Sequence, residues 1–97
     1  MISVYQFKEE LENFEQLEIE ENVPLFELLN SNKILLFVDK KNSKVWTWEG
    51  ANTNPRMKFI SAQAAPHIRD THDTTFTLTS VDEGEETAAF KILIGLI

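Results

Sequence analysis

Residues 43–70 read SKVWTWEGANTNPRMKFISAQAAPHIRD, and a strand, a stop and a long helix follow one another within them. Val45 to Trp48 is β-branched and aromatic, which suits a strand, and a period of two puts Trp46 and Trp48 on the same face. Gly50 to Asn54 ends that strand. Asn54 then supplies an N-cap and Pro55 takes the first helical position, so a helix starts there and is expected to run to about Asp70. At about 100° per residue, Met57, Ile60, Ser61, Ala64, Ala65 and Ile68 share one side of this helix. Most of them are small, so the helix can lie close against a sheet.

Arg56, Phe59, Gln63, Pro66 and Asp70 share the opposite side. Leaving Phe59 in water forgoes about 1.5–3 kcal/mol of burial. Pro66 inside a helix loses a hydrogen bond and crowds the preceding turn, at about 3 kcal/mol or more. Arg56 and Lys58 occupy a first turn where the helix dipole prefers acids. Departures from local consistency collect at functional surfaces, so one reading is a protein-binding face with an apolar anchor and a basic upper rim. The plainer reading is a single exposed aromatic, with Pro66 shortening the helix and Pro66 to Asp70 forming an irregular exit.

Upstream, Ile34 to Val38 is an unbroken apolar run, as expected of a central strand covered on both faces. Asp39 to Ser43 (DKKNS) has turn chemistry, so this strand and the tryptophan strand form a hairpin. Lys40, Lys41 and Lys44 at its tip read as a solvated turn and an edge-strand guard. Pro24 to Leu29 reads as a short helix opened by proline and stopped by Asn30-Ser31-Asn32. Val4 to Phe7 is a strand, followed by a charged connection through Asn13. Gln16 to Glu20 alternates like a half-buried strand. Downstream, Thr75 to Val81 is a strand and Glu83-Gly84 a turn. Glu85 to about Leu96 is a helix with acids in its first turn. The pattern is α+β: a mixed sheet with helices packed on it, in one domain spanning residues 1–97.

The chain's 97 residues, 42% hydrophobic, are enough for one core and too few for a second domain. Nine basic residues against sixteen acidic ones give a net charge of −7. Nucleic acid and anionic membrane surfaces both require a basic footprint, so neither is an expected partner. A local basic patch can still meet an acidic protein. There is no cysteine, no signal-peptide pattern and no apolar run long enough for a membrane span, so a cytoplasmic protein is expected.

Chemistry is poorly supported. His67, Asp70, His72 and Asp73 invite a metal-dependent enzyme, but on a continuous helix His67 and His72 would not face one another. Spacing ties no third ligand to them. Asp82, Glu83, Glu85 and Glu86 lack the spacing of an EF-hand loop. Gly50, Gly84 and Gly95 form no phosphate loop, and no nucleophile elbow occurs. No catalytic residue, metal site or cofactor is therefore expected.

Taken in order, LLNSNKILLFVD, KVWTWEGANTN, the helix ending AAPHIRD, and SVDEGEETAAFKILIGL resemble a gelsolin domain. The matching positions are Val38-Asp39, Val45-Trp46, Gly50, Asn52 to Asn54, Ile68-Arg69-Asp70, and Val81 through Phe90 to Leu93. The VYQF and LEIE…VPLFELLNS segments match the family's opening, so the likeness covers nearly the whole chain. The resemblance implies a central mixed sheet of about five strands between a long helix and a short one. It also implies an actin-binding protein, a monomer forming a one-to-one complex. Its long helix would enter the cleft between actin subdomains 1 and 3, sequestering monomers, with filament capping or severing as further outcomes. Arg56, Phe59, Gln63, Pro66, His67, Arg69 and Asp70 would then lie on or beside the docking face.

The chain departs from the family where calcium is bound. Met57 falls at the family's helix glutamate, and Lys33 or Ile34 near its strand aspartate. None of these supplies the hard oxygen ligands calcium requires. Arg69 falls near the carboxylate that binds a calcium shared with actin, and is expected to answer an acidic actin residue directly. Actin binding is therefore expected to need no calcium. The alternative function is a gelsolin-like interaction module for a non-actin protein.

Overall fold

A computed structural model describes residues 2–97. Its elements in chain order are β1 (Ile2–Lys8), β2 (Asn13–Leu17), β3 (Ile34–Asp39), β4 (Lys44–Glu49), α1 (Pro55–His72), β5 (Thr77–Asp82) and α2 (Ala88–Ile94). Short 3-10 turns cover Glu9–Leu11 and Leu25–Leu28. The sheet has five strands in the order β2-β1-β3-β4-β5. Among the described residues only β4 and β5 run parallel, with α1 as the crossover between them; the other neighbours are antiparallel.

The apolar run of β3 places it at the centre of the sheet. All six of its residues are buried. Ile34, Leu36 and Val38 face α1 together with Phe7, Phe14, Val45, Met57, Ala64 and Ala65. Leu35 and Phe37 face α2 with Val4, Trp46, Trp48, Val81, Phe90 and Ile94. One sheet thus divides two cores, α1 covering one and α2 the other. Trp46 and Trp48 do share a face. Phe90 meets Phe37 edge-on at 5.5 Å between ring centroids, a favoured aromatic arrangement.

Four boundaries differ from the sequence reading. β2 lies at Asn13–Leu17 rather than Gln16–Glu20. Glu12 adopts the left-handed conformation and closes a tight turn, so Phe14 pairs with Phe7 and Phe14 is the buried residue. β5 begins at Thr77, because the Asp73 carboxylate accepts from the Thr75 backbone and hydroxyl and holds a turn there. α2 begins at Ala88, capped by the Thr87 hydroxyl, and has no acid in its first turn. Glu86 lies outside the helix because its carboxylate accepts from Trp48 Nε1 at 2.8 Å and from the Gly84 N–H. α1 continues through Pro66 to His72, so the proline neither shortens the helix nor leaves an irregular exit.

Gly50 marks where the tryptophan strand must stop. Its N–H donates to the Lys33 carbonyl, and a Cβ there would sit 2.3 Å from the Ser31 carbonyl oxygen. Glu83 fastens the same junction, accepting from Ser31 Oγ and the Ala51 N–H. These contacts fix the point from which α1 starts.

Candidate functional site: the outer face of the long helix

The start of α1 follows the sequence closely. Asn54 Oδ1 accepts from the Met57 N–H at 2.8 Å and Pro55 opens the first turn. Met57, Ser61, Ala64 and Ala65 are buried against the sheet, with Ile60 and Ile68 packed beside them. The outer stripe carries Arg56, Phe59, Gln63, Pro66, His67 and Asp70. From Arg56 to Asp70 it extends about 20 Å along the axis. Phe59 stands out from it with 65% of its surface exposed. Pro66 is half-buried, while Gln63, His67 and Asp70 are exposed.

The rim is less basic than its composition suggests. Arg56 Nη2 reaches Glu12 Oε2 at 2.8 Å, and both side chains are more than half exposed. Glu12 and Arg56 are far apart in sequence and brought together only by the α1–β2 packing, so no sequence signal could have pointed to the pair. Arg69 Nε bonds Asp70 Oδ1 at 3.0 Å, with the arginine the more covered of the two. Basic residues in the last turn, Arg69 and His72, suit the helix dipole; the first turn contains no acid.

A shallow groove of about 390 Å³ runs along one flank of the stripe, between α1 and β2, lined by Glu12, Asn13, Ile60, Gln63, Ala64 and His67. Gln63 and His67 therefore face both the open helix surface and this groove. Phe59, Pro66 and Asp70 lie along the crest. The seven residues expected on or beside the docking face fall on one continuous surface, with Arg69 on its far flank.

Three of the four candidate metal residues are committed elsewhere: Asp70 to Arg69, His72 to Tyr5 and Asp73 to Thr75. His72 Nε2 lies 2.8 Å from the Tyr5 hydroxyl, the rings meeting edge-on, which ties the end of α1 to β1. Burial, and then the Lys40 charge, push the His72 imidazole below its ordinary value. Asp73 is lowered by the Thr75 hydroxyl and backbone bonds. Among the described residues no three His, Asp or Glu side chains converge on a common point. Met57 and Ile34 are buried in the core under α1, so the donor set there does not fit calcium. Burial, and then the facing Asp82 charge, raise the Glu49 carboxyl at the end of β4, while Lys58 partly offsets them. For Glu86, burial works against ionisation, but the bond from Trp48, two backbone N–H groups and Lys91 together hold it below its ordinary value.

No protein-family model and no curated protein sequence matches the chain. Solved structures do. Thorarchaeota ProGel, solved in complex with rabbit actin, has a TM-score of 0.80 and 19% identity, with 98% of this chain and 100% of that chain covered. Thorarchaeota 2DGel3, also solved with rabbit actin, has a TM-score of 0.63 and 18% identity; 92% of this chain covers 43% of that longer one. At such identities the likeness lies in the fold. The whole-length match identifies the architecture as that of a gelsolin-like domain.

Proposed function

We propose that this chain binds actin through the outer face of α1, with Phe59 as the apolar anchor in the cleft between actin subdomains 1 and 3. The partner rests on one observation: the fold matches, over its whole length, a protein solved in complex with actin. The face rests on the helix itself. One side of α1 is consumed by the core, while the other presents a large aromatic flanked by polar groups, the arrangement of helix-in-groove recognition. Gln63, Pro66, His67 and Asp70 orient the anchor, and Arg56 and Arg69 border it.

A single domain with one such face forms a one-to-one complex and sequesters monomers; inserted at a filament subunit boundary, the same helix would cap or sever. Its role is binding, not catalysis, and its setting the cytoplasm. No described helix is long and apolar enough to cross a membrane. Calcium has no part in the contact, because Met57 stands where a carboxylate would be needed. Arg69 is already oriented by Asp70, and it meets an acidic actin residue by a charge-assisted hydrogen bond.

Polymerisation and pelleting of actin with the intact chain, in calcium and in excess chelator, test this reading. Equal inhibition in both buffers, abolished by Phe59→Asp, is expected. Loss of inhibition in chelator would refute calcium independence. No effect in either buffer would mean that the fold serves a non-actin protein partner.

A further inference from the structure

On the face of the sheet opposite α1, β1 and β2 end unevenly. The last residue of β2, Leu17, stands opposite Val4, while β1 continues to Ile2. Ile2 and Ser3 are paired with Asp39 and Val38 of β3 and have no partner on the β2 side. The chain leaves the sheet after Leu17 and returns through Leu25, enclosing an open groove of about 620 Å³. Its floor is apolar: the half-buried Ile2, Leu17, Ile19 and Leu25 line it and pack against the core under α2. Its rim is acidic, formed by the exposed carboxylates of Glu18, Glu20 and Glu21. The ion pairs among the described residues involve none of these three.

We propose that this groove docks an extended, basic segment of another protein, with an apolar side chain on its floor and lysine or arginine against its rim. Three features select that occupant. The free edge of Ile2 and Ser3 offers main-chain groups to an added strand, the usual means of holding an extended peptide. The apolar floor takes alternate side chains of such a strand. The unpaired rim carboxylates, on a chain of net charge −7, attract a basic segment and repel a second copy of this chain. The groove lies across the sheet from Phe59, so its occupant leaves the outer face of α1 free. Occupation of the groove is therefore independent of actin binding.

The test uses the intact chain and an array of short synthetic peptides alternating lysine or arginine with leucine, isoleucine, valine or phenylalanine. A matched array carries glutamate at every basic position. Basic peptides are expected to bind at least about tenfold more tightly than their acidic counterparts, with affinity falling as salt rises. Amide shifts in a ¹H–¹⁵N spectrum are expected at residues 2–4 and 16–25. The variant Glu18→Lys, Glu20→Lys, Glu21→Lys changes only exposed positions and is expected to lose about tenfold or more in affinity, whereas Phe59→Asp retains it. Any one of four results would overturn the assignment: no basic peptide binds, acidic peptides bind equally, the triple variant binds undiminished, or the shifts map to α1. Concentration-dependent self-association through the groove would overturn it as well, in favour of a second copy.

Discussion

Replacing Phe59 by alanine separates binding from folding. Phe59 keeps 65% of its surface in water. An aromatic side chain buries roughly 150–250 Å² when fully covered, so docking would remove about 130 Å² more, worth about 3 kcal/mol at about 25 cal/mol/Å². Alanine retains a small part of that area, leaving a loss of about 2–3 kcal/mol, or roughly thirty- to 150-fold in affinity. The translational and ordering costs of association are common to both proteins and cancel in the comparison. Folding should scarcely respond, because substitutions at exposed positions without special contacts stay within about 0.5 kcal/mol. The assay is a fluorescence titration of labelled actin monomers, with urea unfolding of each variant alongside. Ile92→Ala is the control: Ile92 is 64% exposed but lies on α2, across the sheet, and its loss should leave actin affinity unchanged. An affinity loss below about threefold for Phe59→Ala, with stability intact, would refute the anchor.

Pro66→Ala restores a backbone N–H to the middle of α1 and a better helix former with it. Stability should rise by about 1 kcal/mol or more in urea unfolding, while actin affinity weakens as ring contacts are lost. Gly50→Ala forces a Cβ against the Ser31 and Asn30 backbone and should destabilise by about 3 kcal/mol or more, lowering the thermal midpoint steeply. The His72 imidazole is held below its ordinary value, so the folded state disfavours the protonated form. Its contribution is fully present above the ordinary histidine range and declines as pH falls from there through the lowered value; Lys40→Gln should lessen that pH dependence of the urea midpoint. Glu49 is shifted the other way: stability is lost as pH rises from the ordinary carboxyl value through the raised one, so Glu49→Gln should stabilise the protein at neutral pH and not at acid pH.

The parts of the fold legible in the sequence are those where one local signal settles the matter. The apolar run of β3, bounded by turn residues, fits a strand covered on both sides, and Asn54-Pro55 ahead of a stripe of small residues fits a helix start. The spacing of small residues in α1 then gives its buried face, and hence the exposed one. What was illegible depends on contacts between distant residues. QLEIE alternates as a strand should, yet the left-handed turn at Glu12 draws the pairing three residues earlier, so that Phe14 meets Phe7. Glu85 and Glu86 look like first-turn acids, but Trp48 claims the Glu86 carboxylate and leaves the helix to begin after Thr87. At the candidate site, the exposure of Phe59 and its neighbours is readable from helical periodicity alone. Glu12, which neutralises Arg56, was not, because only the packing of β2 beside α1 brings it there.

Photocrosslinking from Phe59 itself reports where the outer face of α1 meets actin. The chain carrying p-benzoylphenylalanine in place of Phe59 is mixed with monomeric actin and irradiated, and the crosslinked actin residues are identified by mass spectrometry. The expected result is one product of one chain and one actin, with crosslinks in the cleft between actin subdomains 1 and 3, in calcium and in chelator alike. Retained actin binding with no crosslink from this position, or with crosslinks confined to another actin surface, would show that α1 does not enter that cleft.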